Sequence, residues 1–219
     1  MKFFRLDSSL RTEGSVSRRL ADAVEEQWLH RHPDATVLRR DLGVDPLPFA
    51  WPAAVSAAMS PADQPRTPEQ QAATGLAAEL VDELLAADAY VFAVPLYNWN
   101  LPAQVKLWID LITTDPRAGA GNPTPLLAGR PAVLVQARGG GYAPGTPREG
   151  WDHATPYLTR ILRDHWGLDL SIADAELTLA DVNPAMAHLR DAAAQQLTDA
   201  HELAGSHGAS IAEGLLLSA

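Results

Sequence analysis

Cysteine is absent from the 219 residues of the chain, and long apolar runs are absent as well. Without cysteine, thiol catalysis, disulfide frameworks, Fe–S clusters and cysteine-based zinc sites are excluded. No run approaches the roughly 18 apolar residues of a membrane-spanning helix, so no span is predicted. The N-terminus reads MKFFRLDSSL. It lacks the apolar core and cleavage site of a signal peptide, and we therefore expect a cytoplasmic protein.

Positive charge is also scarce, because 17 Lys and Arg face 27 Asp and Glu and give a net charge of -10. A chain with this balance is a poor candidate for binding nucleic acid or an anionic membrane surface. Apolar residues make up 47% and charged residues 20% of the sequence. This composition is typical of a globular protein with a core and excludes a disordered chain.

Five short apolar segments read as strands, at Lys2–Leu6, Ala35–Leu42, Ala89–Val94, Pro131–Gln136 and Leu168–Ala175. Between and after them, helical patterns begin near Ser15 and cover Pro52–Met59, Thr67–Ala86, Pro102–Thr113, Trp151–His165 and Asn183–His207. This alternation predicts a parallel sheet covered by helices on both faces. Five such units in one domain, residues 1–219, favour a doubly wound α/β/α fold with strand order 2-1-3-4-5.

Three unusual loops, 7–17, 95–100 and 136–142, follow the first, third and fourth predicted strands. In an open parallel sheet, ligands bind beyond the carboxyl ends of the strands. The strand order makes these three strands neighbours. We therefore expect the three loops to meet at one crevice.

The first of these loops is rich in serine and opens a helix. Ser8, Ser9, Ser15 and Ser17 supply hydroxyl groups beside the free N–H groups of a helix N-terminus. Such an arrangement can bind a phosphate. The alternative is that Ser15 only caps the helix and the other hydroxyls are solvated.

The other two loops carry groups suited to a flat heterocycle. The second reads PLYNWN from position 95, and the third reads ARGGGY from position 137. Aromatic faces pack against flat rings, amides satisfy polar ring edges, and glycines let the backbone approach a ligand closely. The alternatives are aromatic side chains that fill a helix–sheet seam and a flexible glycine turn.

Several catalytic signatures are missing. The Walker A pattern and a GxGxxG after the first strand are absent, which disfavours ATP and tightly held NAD. There is no G-x-S-x-G elbow, and no HExxH or close His/Asp cluster predicts a metal site. Five histidines on polar helix faces or ends are predicted to be solvated, namely His30, His32, His188, His201 and His207.

Taken together, the loops resemble those of the FMN-dependent NADH-azoreductase and NAD(P)H:quinone oxidoreductase family, which is flavodoxin-like and dimeric. The resemblance is most specific in the Y-N-aromatic-N run at 97–100 that leads into Q-x-K-x-W-x-D at 104–110. Further likeness lies at Ser9, at Ser15–Ser17, at Arg138–Gly140 and at Thr155–Leu158.

The resemblance implies bound FMN, NADH or NADPH as cosubstrate, a quinone or azo acceptor, and ping-pong hydride transfer through flavin N5 in a homodimer. It implies that Ser9, Ser15, Val16 and Ser17 hold the phosphate, that Pro95, Leu96, Tyr97, Asn98 and Trp99 border the flavin ring, and that Ala137, Arg138, Gly139 and Gly140 meet its pyrimidine end. Asn98 is then the group nearest the reactive edge, and Tyr142 and His165 are further catalytic candidates.

The chain departs from the family pattern at three places. Ala137 stands where the family has a small hydroxyl residue, loop 114–129 is short and lacks aromatics, and segment 163–166 is one residue longer. The last two segments are expected on the substrate side, so the cofactor half matches better. Two alternatives stay open: a tailoring oxidoreductase for one specific metabolite, and a non-enzymatic electron carrier or a scaffold that has lost FMN.

Overall fold

The computed structural model describes residues 1–61, 63–119 and 122–216 and contains a five-stranded sheet. The strands are β1 Lys2–Asp7, β2 Thr36–Asp41, β3 Ala89–Pro95, β4 Pro131–Ala137 and β5 Asp169–Ala175. Their order is β2-β1-β3-β4-β5, and all neighbours are parallel. The predicted fold class and strand order are confirmed.

The helices are α1 Val16–Arg31, α2 Trp51–Met59, α3 Pro68–Leu85, α4 Ala103–Thr114, α5 Ala154–Thr159 and α6 Arg190–Leu216. Local signals explain several starts. The Ser15 side chain caps α1, and Thr67 forms a capping box with Gln70 at the start of α3. These caps satisfy N–H groups that a helix N-terminus otherwise leaves free.

Two apolar layers sandwich the sheet, and β3 at its centre is buried over its whole length. On one face, α2 to α5 cover a core that includes Phe92, Trp108 and Trp166. On the other face, α1 and α6 cover a core that includes Phe3 and Trp28. The result is a three-layer α/β/α arrangement in which all strand carboxyl ends lie at one edge.

The predicted helix 151–165 is present from Ala154 to His165, but its second half is not α-helical. After α5, residues Arg160–His165 form a π-helical turn. The N–H of Trp166 donates to the carbonyl of Ile161 at 2.8 Å, five residues earlier. A π turn accommodates one additional residue within a helix, which fits the extra residue of segment 163–166. Helical periodicity alone does not distinguish this turn from an α-helix.

Two of the histidines predicted to be solvated pack against the protein instead, His32 buried and His207 half-buried. The ring of His32 is 8% exposed, lies 4.5 Å from the ring of Trp28, and places Nε2 3.1 Å from the carbonyl of Ala212. His207 Nε2 lies 3.3 Å from the carbonyl of Ile172. The prediction is wrong for both because α6 begins at Arg190, after a 3-10 turn at 184–189, and continues beyond its predicted end to pack on α1.

The other three predicted histidines, His30, His188 and His201, are exposed as expected. Among the described residues, none of the helices is both long and apolar enough to cross a bilayer.

Candidate functional site

A cavity of about 500 Å³ opens at the carboxyl ends of β1, β3, β4 and β5. The three loops expected to meet there do so. The predicted cofactor residues that line this cavity are Ser9, Ser15, Val16, Ser17, Pro95, Leu96, Tyr97, Ala137 and Gly139. The volume lies within the range of small-molecule and cofactor sites.

An arginine and a glycine hold the serine loop from the side of β2. The Arg18 guanidinium donates to Asp41 at 2.6 and 2.8 Å and to the Ser9 carbonyl at 2.9 Å. Gly43 packs so closely that a Cβ there would lie 2.1 Å from the Ser9 carbonyl oxygen. The backbone of the loop is therefore fixed from two directions, and we call Arg18, Asp41 and Gly43 the loop clamp.

A buried ion-pair network supports the same loop from below. Arg5 donates to Asp7 at 2.8 Å and to Glu25 at 3.0 Å, and all three residues are buried. Burial alone would lower the pKa of Arg5, but the carboxylates of Asp7, Asp22 and Glu25 raise it above its usual range. Burial alone would raise the pKa of Glu25, and its bonds to Arg39 and Arg5 instead lower it. The end of β1 is thus held by charges that stay ionised.

The loop clamp predicts a specific loss of stability in acid. Burial acts to raise the pKa of Asp41, but the hydrogen bonds and charge of Arg18 outweigh it and leave that pKa lowered. A group with a lowered folded-state pKa stabilises the fold above its unfolded pKa, about 3.9 for Asp, and loses that contribution as the pH falls further. We expect Asp41→Asn to reduce the free energy of unfolding by about 1–2 kcal/mol at pH 7.

Urea unfolding from pH 7 to pH 3 measures this effect, and the difference between Asp41→Asn and wild type should begin to shrink as the pH falls below about 4 and should vanish only below the lowered folded-state pKa of Asp41. The asparagine keeps an oxygen for the N–H groups of Gly43 and Val44, which bond to Asp41 at 3.0 and 3.2 Å. A difference that stays constant over the whole range would show that the ionised carboxylate is not what stabilises the clamp.

The N-terminus of α1 presents donors to the cavity. Ser15 Oγ accepts from the N–H of Arg18 at 3.4 Å and lies 3.4 Å from Ser17 Oγ. Within the described ranges, the N–H groups of Val16 and Ser17 bond to no acceptor of the protein. Buried hydroxyls beside free N–H groups at a helix start form a site for an anion. We call Ser9, Ser15, Val16 and Ser17 the serine cradle.

Two arginines that sequence reasoning missed add charge to this end of the cavity. Arg11 and Arg19 line the cavity, both are exposed, and neither forms an ion pair within the part of the chain that the structure describes. The other arginine of this region, Arg18, is bound to Asp41. The basic residues before and after the S-V-S run are the sequence feature that could have predicted positive charge at this site. Free guanidinium groups suit an anion with more than one negative charge.

The loop 95–100, which carries two aromatic residues, contains a tight turn. Tyr97 and Asn100 exchange backbone hydrogen bonds at 2.8 and 3.0 Å, and Asn98 and Trp99 between them have φ of 48° and 65°. Two positive φ angles define a type I′ turn. Tyr97 faces the cavity, and its hydroxyl accepts from the N–H of Leu10 at 3.1 Å. Asn98 and Trp99 lie at the exposed tip, outside the cavity lining.

The tip of that turn contacts a different loop. The ring of Trp99 meets that of Trp151 edge-on at 5.4 Å, and its carbonyl accepts from the N–H of His153 at 2.9 Å. Positive φ is unfavourable for a residue as bulky as tryptophan and persists only where surrounding contacts fix it. Both indoles are about half exposed and form an aromatic surface beside the cavity.

Several predicted site residues lie elsewhere. The side chain of Arg138 and that of Tyr142 line a second cavity of about 380 Å³. Gly140 is buried next to Gly139 but does not line the first cavity. His165 lines neither cavity, and its Nε2 lies 3.1 Å from the carbonyl of Ala118. The structure therefore does not bring Tyr142 and His165 to the cavity of the serine cradle.

The segment after β5 forms a wall that sequence reasoning missed. Residues 176–179, 181 and 182 line the cavity, together with Ala193, Ala194 and Leu197 near the start of α6. The strand order could have predicted this wall, because the segment also follows the carboxyl end of a strand. Leu177, Leu179 and Val182 give this wall apolar surface, and Glu176, Thr178 and Asp181 add polar groups to it.

The two segments expected on the substrate side pack against each other. The N–H of Leu127 donates to the carbonyl of Trp166 at 2.8 Å, and that of Gly129 donates to Gly167 at 2.9 Å. Positions 120–121 of the first segment lie outside the described residues. None of the described residues in 114–129 or 163–166 lines the cavity of the serine cradle.

A family model described as having a flavodoxin-like fold matches residues 1–201. The chain belongs to this flavodoxin-like family. Its relatives include an FMN-dependent NADH:quinone oxidoreductase of Parafrankia sp. (strain EAN1pec), 40% identical over 205 residues that cover 93% of this chain and 97% of the relative. The enzyme of the same name from Streptomyces avermitilis is 37% identical over 210 residues, which cover 95% of each chain. The resemblance identified from sequence is confirmed.

Solved structures support the flavodoxin-like architecture. An azoreductase from Bacillus anthracis str. Sterne superposes with a TM-score of 0.80 at 24% identity, covering 96% of this chain and 99% of that one. An FMN-dependent NADH-azoreductase from Bacillus anthracis str. Ames Ancestor in complex with FMN gives a TM-score of 0.69 at 23% identity, covering 93% and 99%. These similarities establish the fold.

The donors in the cavity fit the two ends of FMN. The serine cradle, Arg11 and Arg19 suit a phosphate dianion. At the other end, the N–H groups of Gly139 and Gly140 have no acceptor in the described chain, and Gly140 is buried. A buried, unpaired N–H needs a partner, and the pyrimidine end of a flavin supplies carbonyl and ring-nitrogen acceptors.

Proposed function

We propose that the chain is an FMN-dependent NADH:quinone oxidoreductase that also reduces azo compounds. The observation that carries this proposal is that one cavity is lined both by the serine cradle and by Gly139, whose N–H has no acceptor in the described chain. Relatives about 40% identical over most of the chain carry that activity in their names. We take NADH as the cosubstrate because those names specify it.

In this function the protein binds and orients its cofactor. The serine cradle would hold the phosphate, with Arg11 and Arg19 balancing its charge, while Leu96 and Tyr97 border the ring and exclude water from one side. Bound FMN supplies a centre, N5, that accepts hydride from NADH and passes it to the acceptor. We assign no proton transfer to Tyr142 or His165, because both lie outside the cavity.

We further propose that the protein is a homodimer. Large apolar side chains are exposed on α2 and on the loops beside the cavity, namely Leu10, Phe49, Trp51, Met59, Trp99 and Trp151. A second copy is the occupant that covers such a surface while closing the open side of the cavity. Light scattering at micromolar concentration tests the mass of the proposed dimer.

We also propose a cytoplasmic location, since NADH is supplied there.

Steady-state kinetics on the FMN-loaded protein test the proposed reaction. With NADH and a quinone varied together, double-reciprocal plots should give parallel lines, because one cavity serves the two substrates in turn. A panel of quinones and azo dyes should include good acceptors. Uniformly poor turnover of the panel would favour a tailoring oxidoreductase for a specific metabolite. Little NADH oxidation with any acceptor would favour an electron carrier.

A further inference from the structure

Residues 139–141, which we call the glycine edge, have a one-sided pattern of hydrogen bonds, and Gly139 among them lines the cavity of the serine cradle. The carbonyls of Arg138, Gly139 and Gly140 accept from the N–H groups of Thr178, Leu179 and Leu177 at 3.1, 3.2 and 3.2 Å.

The N–H groups of residues 139–141, by contrast, have no acceptor within the described parts of the chain. In each of these peptide groups the carbonyl is already hydrogen-bonded within the protein, and the N–H remains available as a donor. This arrangement suits a ligand that presents acceptors to these N–H groups or that gains negative charge.

The side chain of Arg138 joins the structures on which this edge depends. Its guanidinium reaches Asp174 at 2.9 Å and Glu176 at 3.2 Å at the end of β5, and Asp152 at 3.2 Å before α5. It also donates to Thr155 Oγ1 at 3.0 Å. With 11% exposure, this side chain links the end of β4 to β5 and to the start of α5.

Glu176 carries the link back to the far end of the loop. One of its carboxylate oxygens binds Arg138, and the other accepts from the N–H of Tyr142 at 3.0 Å. Thr178 Oγ1 in turn donates to the carbonyl of Arg138 at 3.1 Å. Both ends of the glycine edge are thus connected to the Arg138 guanidinium. The proposed contacts with the cofactor do not require this guanidinium to touch the ligand.

We propose that Arg138 is a positioning residue that orients the donors at 139–141 toward the pyrimidine end of bound FMN. The inference rests on the proposed function. The pyrimidine end carries acceptors in oxidised FMN and gains negative charge on reduction. Hydrogen bonds to a charged acceptor are stronger than those to a neutral one. A displaced donor edge therefore weakens the binding of reduced FMN more than that of oxidised FMN.

Arg138→Lys tests this role because it keeps the charge and loses the planar fork that spans several partners. We expect the Kd of oxidised FMN to rise about threefold and that of reduced FMN about thirtyfold. The tenfold difference corresponds to a two-electron midpoint potential about 30 mV more negative. Thr178→Val, which preserves shape and charge and removes one bond to the Arg138 carbonyl, should shift the potential in the same direction by less.

Arg40→Lys is the matched control. Arg40 is similarly enclosed, at 14% exposure, is held by Glu79 and Glu83, and lies outside the cavity. It should lower thermal stability without moving the flavin potential. Folded Arg138→Lys protein with the wild-type potential would overturn the positioning role and leave the proposed function standing, as would an equal shift in Arg40→Lys. Wild-type protein that binds no FMN would overturn both.

Discussion

Gly43→Ala is expected to remove most FMN binding and to destabilise the fold at the same time. The added Cβ would lie 2.1 Å from the Ser9 carbonyl oxygen and 2.8 Å from the Ser9 carbonyl carbon. Ordinary contact needs roughly 3.5 Å, so the Ser9 backbone has to move by about 1 Å or more. A displacement of that size costs on the order of 100-fold in function, and overpacking of this kind costs about 1–3 kcal/mol of stability.

Flavin fluorescence quenching gives the affinity for this variant, and urea unfolding gives its stability. Gly75→Ala is the matched control, because a Cβ at Gly75 within α3 would meet nothing within 4 Å. Alanine is favoured over glycine in a helix by about 1 kcal/mol, so the control should be slightly stabilised with unchanged FMN affinity. Wild-type affinity in Gly43→Ala would mean that the loop clamp does not set the shape of the serine cradle.

Val16→Pro is expected to separate FMN binding from folding. Val16 is the first residue of α1, where proline is well tolerated, and Ser15 before it already has the extended backbone that proline requires. The substitution deletes one free N–H of the serine cradle. A hydrogen bond to a charged group is worth about 1.5–3 kcal/mol, so FMN affinity should fall roughly 10- to 100-fold. Val16 packs on the core beneath α1, so this hydrophobic exchange should cost less than about 1.5 kcal/mol of stability.

Riboflavin, which lacks the phosphate, is the internal reference for this variant, and its affinity should not change. Ala103→Pro makes the same change at the first residue of α4, which is exposed and outside the cavity lining, and it should leave both flavins unaffected. An equal loss of FMN and riboflavin affinity in Val16→Pro would contradict a phosphate contact at this N–H.

The strands and their order could be predicted because apolar segments bounded by turns leave few alternatives. Each predicted strand differs from the observed one by at most one residue at either end. The strand order in turn predicts that the three loops meet, since neighbouring parallel strands end at one edge of the sheet. The serine cradle, Leu96 and Tyr97 were predictable for the same reason.

Side-chain direction was not predictable from the same patterns. Asn98 and Trp99 sit in the same run as Tyr97, but a two-residue turn places them at its tip, away from the cavity. Arg138 adjoins Gly139, yet Asp174 and Glu176 at the end of β5 bind its side chain, which lines the second cavity. Such partners are distant in sequence, so the chain alone does not reveal them.

The cavity wall after β5 was not predicted for a different reason. Leu179 and Val182 lie in a segment without helical or strand periodicity, so nothing marked them as part of a site. Their exposure, 39% and 65%, is that of ordinary loop residues. Only the placement of the segment beside Gly139, where a Cβ would lie 2.7 Å from Leu179 Cδ1, shows that it borders the cavity.

The proposed function requires that this cavity binds FMN through its phosphate. Titration of the purified wild-type protein with FMN and with riboflavin, followed by visible absorbance and fluorescence, tests it directly. We predict a yellow, FMN-loaded protein that binds FMN at least about tenfold more tightly than riboflavin, as expected for one or more charged hydrogen bonds. A colourless protein that added FMN does not bind, or equal affinity for the two flavins, would contradict the account.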